Sequence, residues 1–178
     1  MEDKTLFRYL SHGYGALAGF AFFALILPLL AAYAARQSLH GTLALMGSTF
    51  VIEYGAAPVG IVGGLDPLFV LFVLSDIAFG VTLLLFGLCG SLEEHWPRFA
   101  RFLDRTRGRA QDSAILARYG IYGLVPLVLV LGFYFCAMAA CLFGWRRDHA
   151  AILIMAGYIP ACMLTILATQ GFIGTFFP

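Results

Sequence analysis

The sequence predicts an all-α, polytopic membrane protein: two helical hairpins that face each other and about three full crossings, arranged as an inverted repeat in one small domain. Three observations predict it. Hydrophobic residues make up 61% of the 178 and charged residues 12%, about half of the roughly 25% charged residues of a soluble domain. Several apolar runs are long enough for a hydrocarbon core of about 30 Å. Two of those runs are interrupted by Gly and Pro, which a straight crossing has no need of.

The elements follow in order. Residues 1–13 are short and mixed, with Leu6, Phe7 and Leu10 on one side, and are expected to lie at the interface. Residues 14–35 form an apolar run of about 33 Å at ~1.5 Å per residue, enough to cross. Lys4 and Arg8 before it and Ala32-Tyr33-Ala34 at its end imitate a signal peptide. The length favours a retained first span, kinked at Pro28. Residues 1–40 thus comprise the interfacial segment and the first span.

Residues 41–92 read as a hairpin plus a span. The stretch 41–64 is apolar but broken by Gly55, Pro58, Gly60, Gly63 and Gly64. Asp66-Pro67 then reads as a helix start: Asp accepts from free amides, and Pro at the first helical position loses no hydrogen bond. Residues 93–118 are the one long polar segment. Trp96, Phe99 and Leu103 recur there at helical spacing, flanked by Arg98, Arg101 and Arg105. Such an amphipathic helix can lie on anionic lipid headgroups, and it also serves as a positive anchor. Residues 119–178 repeat the hairpin-plus-span pattern, with Gly132 inside the second broken run and Asp148 before the last span. Laying Asp66 on Asp148 aligns the halves. Paired broken segments at corresponding positions point to a transporter's binding region.

Charge decides the topology. If both broken runs cross, the basic residues divide between the two sides. If both fold back, every basic residue except Arg36 lies on one side, the cytoplasm. The second arrangement is expected, with the N-terminus and the Arg-rich loop cytoplasmic and the chain in the cell membrane.

Two carboxylates are the candidate transport and proton site. A half-helix ending at Glu53 and a span starting at Pro67 bring Glu53 and Asp76 to about 15 Å, half of a ~30 Å core, when both run in from one face. No Lys or Arg lies between Arg36 and Arg98 to neutralise them. Acids held in lipid without a cation mark proton or cation pathways. Pro58, Gly60 and Gly132 are expected to shape the hairpins. Structural duties stand beside these readings: Glu53 as a cap for the half-helix around Pro58, Asp76 as a bond to a neighbouring helix.

Other chemistry finds little support. Cys89, Cys136, Cys141 and Cys162 all fall in apolar runs without CxxC or Cys/His spacing, so neither zinc nor a disulfide frame is indicated. The four histidines are scattered near segment ends. No Gly-Lys-Ser/Thr loop and no Gly-x-Ser-x-Gly elbow occurs. No enzyme, metal or cofactor is expected, and the basic loop with its interfacial aromatics does not read as a nucleic-acid surface.

The pieces resemble the small multidrug export family, itself distantly similar to the DedA-like (VTT) membrane proteins. The resemblance rests on Phe50-Val51-Ile52-Glu53 with Ala57-Pro58-Val59-Gly60-Ile61 and Gly64-Leu65. It continues at Asp76, where Asn is expected, and at Arg118-Tyr119-Gly120-Ile121-Tyr122-Gly123. Leu142-Phe143-Gly144 and Arg146-Arg147-Asp148 complete it. Two departures stand out: no Arg follows Glu53 closely, and Leu131-Gly132-Phe133-Tyr134 replaces a Pro-Gly turn. The resemblance implies facing re-entrant hairpins and a transport or lipid-translocation role.

The expected function is a proton-coupled membrane transporter for a lipid or an amphipathic cation, compatible with a homo-oligomer. The alternative is a non-catalytic membrane-organising or scaffold protein that perturbs the bilayer and recruits lipids through its Arg-rich loop.

Overall fold

The computed structural model describes residues 13–95 and 120–176, and among them every regular element is helical. Five segments are long and apolar enough to cross a membrane: Gly15–Ala34, Leu39–Val62, Pro67–Glu93, Leu124–Phe143 and Arg147–Phe172. The protein is therefore a multi-pass membrane protein. The N-terminal interfacial segment and the Arg-rich loop, with Arg98, Arg101 and Arg105, lie outside the described residues apart from their inner edges.

The first helix comprises α1 (Gly13–Ala21), a π-helical turn (Phe22–Ile26) and α2 (Leu27–Ala34). The wide turn comes just before Pro28, which cannot donate to the ladder. Then α3 (Leu39–Ile52), a 3₁₀ turn (Glu53–Ala56) and α4 (Ala57–Val62) follow. Ser38 starts α3 by accepting from the Gly41 amide at 3.3 Å.

The segment from Leu39 to Val62 does not run straight. Gly41, near its beginning, touches Gly63 and Leu65 after its end, and Leu45 in α3 packs on Gly60 in α4. The Asp66 amide donates to Gln37 Oε1 at 3.4 Å, joining the chain before and after the segment. Both ends therefore meet, and the chain folds back at the 3₁₀ turn. Gly60 makes the close packing possible: a Cβ there would be 2.7 Å from Val70 Cγ2 and 3.2 Å from the Leu45 methyls.

Next, α5 (Pro67–His95) starts as the sequence predicts. Asp66 Oδ1 accepts from the Leu68 amide at 2.8 Å and the Phe69 amide at 3.3 Å, and Pro67 occupies the first helical position. It runs antiparallel to the first helix through the core. Val70, Val73, Leu74 and Ile77 are fully buried, and Gly80 lets Ala24 of the first helix approach.

After a 3₁₀ turn (Gly120–Gly123), α6 (Leu124–Phe143) is broken at Gly132, and α7 (Arg147–Phe176) closes the structure. Arg147 at the start of α7 lies on Gly90 and pairs with Glu93 at 3.9 Å. The junction of α6 and α7 therefore sits at the end of α5, whereas the first folded-back segment opens at its start.

Gly64 and Gly144, 80 residues apart, both have positive φ. In each case the next amide bonds five residues back, Leu65 to Gly60 and Trp145 to Ala140, at 3.0 and 3.1 Å. This is the same helix stop used twice. The register differs by two residues from the Asp66–Asp148 alignment. Asp148 lies inside the first turn of α7, 4.0 Å from Arg146. There it favours the helix dipole without capping.

Candidate functional site

Two helix breaks meet, one at the end of α3 and one inside α6. Glu53, which ends α3, has φ 52° and ψ −129°. A non-glycine residue there is strained and needs its surroundings to hold it. Gly132 has φ 80° and ψ 174°, a backbone shape that is essentially glycine's alone. A Cβ at Gly132 would overlap the Glu53 carboxylate, so the two breaks are in contact.

Each break frees backbone groups, and the partner break satisfies them. In an unbroken helix the Phe133 amide would bond to the Leu129 carbonyl. Instead the Phe133 amide donates to Glu53 Oε2 at 3.0 Å, with the Tyr134 amide also within reach of that carboxylate. The Leu129 carbonyl accepts from the Tyr54 hydroxyl at 3.0 Å. On the other side, Phe50 is three residues before its break, as Leu129 is before Gly132. Its carbonyl accepts from the Tyr134 hydroxyl at 3.1 Å. The exchange is reciprocal: a tyrosine next to each break covers the carbonyl left bare at the other.

Aromatic rings and thiols close the surroundings. Tyr158 of α7 is fully buried. Its ring stands perpendicular to Phe133 at 5.2 Å and tilted to Tyr54 at 6.2 Å. Cys136 and Cys162 lie near enough to feel the charge of Glu53. Gly157 admits the first half of α6: its Cβ would be 2.6 Å from the Val125 carbonyl oxygen. A carboxylate on the freed amides that open a half-helix is a favourable electrostatic arrangement.

The site residues expected from sequence thus separate. Glu53 and Gly132 meet directly. Pro58 is the second residue of α4, and Gly60 packs against Leu45 of α3 and Val70 of α5. Asp76 belongs to α5, and among the described residues no hydrogen bond joins it to Glu53. Sequence reasoning missed Tyr54, Phe133, Tyr134 and Tyr158. The available signal was a tyrosine within two residues of each break: Glu53-Tyr54 and Gly132-Phe133-Tyr134. No group of three or more potential metal ligands occurs among the described residues.

Neither a curated protein nor a solved structure matches the chain at a significant level. A family model described as "Putative small multi-drug export protein" matches residues 54–164. That range starts at Tyr54, directly after Glu53, and includes both tyrosines, Gly132 and Asp76. The name of the family points to an exporter rather than an enzyme. With more than half of its length matched, the chain belongs to the small multi-drug export protein family.

Proposed function

We propose that the protein moves an amphipathic cation or a lipid across the cell membrane, coupled to protons, with Glu53 as the group that takes up and releases charge. The observation that carries this reading is the seating of Glu53 at the crossing of two broken helices. An ionisable side chain at such depth is a functional feature by default. In transporters, freed backbone groups of discontinuous helices face the substrate and the coupling ion.

The chain path supports the transport geometry. From Leu39 to Ile52, α3 has 14 residues and descends about 21 Å at ~1.5 Å per residue. This puts the fold-back deep in a ~30 Å core. The first hairpin opens at the start of α5, and the exit leg of the second opens at its end. We read both as re-entrant, facing, and related as an inverted repeat. The basic pair Arg146–Arg147 and the Arg-rich loop support a cytoplasmic second opening. Displacing either tyrosine hydroxyl would bare one carbonyl, and protonating Glu53 would weaken its hold on α6. Both changes loosen the same crossing.

The test is reconstitution in liposomes with an imposed pH gradient, following a lipophilic fluorescent cation and a labelled lipid in parallel. Glu53→Gln keeps an acceptor oxygen for the Phe133 amide but cannot ionise. The expected result is a folded protein whose flux and pH dependence are lost. Unchanged flux with unchanged pH dependence removes Glu53 from the mechanism. A larger effect from charge reversal at Arg101 and Arg105 would favour the membrane-organising alternative.

A further inference from the structure

Asp76 sits on α5 with its Oδ2 atom buried and without a hydrogen-bond partner. Gly80 lies one turn further along the same face, packed on Ala24 of the first helix. Beside it, the Phe23 and Phe79 rings meet edge-on at 5.1 Å. The two helices are antiparallel, since Gln37 after the one bonds Asp66 before the other. The face bearing Asp76 therefore meets the first helix one turn beyond Ala24, at the buried Pro28.

There the first helix is short of a donor. Over Phe22–Ile26 it is wound as a π-helix, with the Leu27 amide on the Phe22 carbonyl. The next amide in line belongs to Pro28 and does not exist. Either Phe23 or Ala24 must therefore lose a ladder bond, according to whether the winding continues as π or returns to α. A carboxyl lacking a partner and a carbonyl lacking a donor thus fall at the same level of two packed helices, and a proton on the carboxyl would satisfy both.

We infer that Asp76 is a second proton-holding site, separate from the helix crossing, whose neutral carboxyl donates to the backbone carbonyl freed by Pro28.

No charge offers Asp76 another partner. The first helix carries no charged residue from Gly15 through Ala35. The other acids of α5 lie in its last turns, and Asp66 caps its start. The 3₁₀ turn packed on α5 brings Glu53, whose carboxylate is taken by Phe133. From α6 and α7 the nearby titratable groups, the tyrosines and thiols at the crossing, are neutral. An ionised, unpaired carboxylate held there would carry a large desolvation cost. The first helix lies outside the matched family range. The site therefore stands whether or not Glu53 proves to be the transport group.

Dicyclohexylcarbodiimide tests this on the whole protein in lipid vesicles. A protonated carboxyl in apolar surroundings adds across one C=N bond, and the adduct rearranges to a stable N-acylurea with no atom lost. The labelled peptide is read by mass spectrometry. Asp76 is expected to label at neutral pH in wild type and equally in Glu53→Gln, and the label to vanish in Asp76→Asn. Pro28→Ala restores the missing amide and should lower labelling several-fold. In the same samples, the infrared band of the neutral carboxyl, absent in Asp76→Asn, should shift to higher frequency in Pro28→Ala. Four results overturn the inference. Asp76 could stay unlabelled at neutral pH. Its label could be lost in Glu53→Gln, which would make the two acids one site. Pro28→Ala could leave labelling unchanged, or it could leave the infrared band in place.

Discussion

Replacing Gly132 by Ala tests the contact between the two breaks. The new methyl would enter the space of the Glu53 carboxylate, and the residue would be held at φ 80° and ψ 174°. The backbone strain is worth about 1–3 kcal/mol. Driving the carboxylate off the Phe133 amide removes a charged hydrogen bond worth about 1.5–3 kcal/mol. Together the change should cost roughly 3–6 kcal/mol, a large share of the ~5–15 kcal/mol of a typical fold. Glu53→Ala alone loses the bond and leaves the amide bare, at about 1–3 kcal/mol. In the double variant the bond is lost only once, so its cost should nearly equal that of Gly132→Ala. The coupling energy is then about 1–3 kcal/mol, read from unfolding of the detergent-solubilised protein. Simple additivity, or a Gly132→Ala protein as stable as wild type, would refute the contact.

Further expectations follow from the same geometry. Tyr54→Phe and Tyr134→Phe each remove one hydroxyl from a freed carbonyl. Each should lower stability by about 0.5–1.5 kcal/mol in the same unfolding assay. Gly60→Ala would set a methyl 2.7 Å from Val70 Cγ2, and overpacking of this kind costs about 1–3 kcal/mol. Gly157→Ala would set one 2.6 Å from the Val125 carbonyl oxygen. Because that neighbour is backbone, the loss of stability should exceed that of Gly60→Ala. Glu53→Gln should lower stability by only about 1 kcal/mol, since a neutral bond replaces the charged one, while abolishing the pH dependence of flux.

The all-helical, multi-pass membrane class was legible because hydropathy is a local property. The Asp66-Pro67 helix start was legible for the same reason: cap and helix are neighbours in sequence. The matching motif at the second turn was not, because Asp148 has the right chemistry at the wrong position. There the chain stops on the left-handed Gly144 instead. Glu53 could be found from its lack of a nearby cation, but its partner could not. The Phe133 amide is 80 residues away and is a free donor only because Gly132 breaks the helix. The tyrosine exchange spans 75 and 84 residues and has no local signature beyond a tyrosine beside each break. Asp76 was expected beside Glu53, and among the described residues no hydrogen bond joins the two. Depth follows from counting along a helix, whereas facing depends on how the first helix packs.

The claim beneath all of this is that the chain from Leu39 to Val62 enters and leaves by the same face. Single cysteines at His40 and at Val62, in a background without the four native cysteines, bracket that segment. In sealed vesicles they can be probed with a membrane-impermeant maleimide added to one side at a time. Both positions should react from the same side. Reaction from opposite sides would mean a straight crossing, with Glu53 and Gly132 no longer brought together.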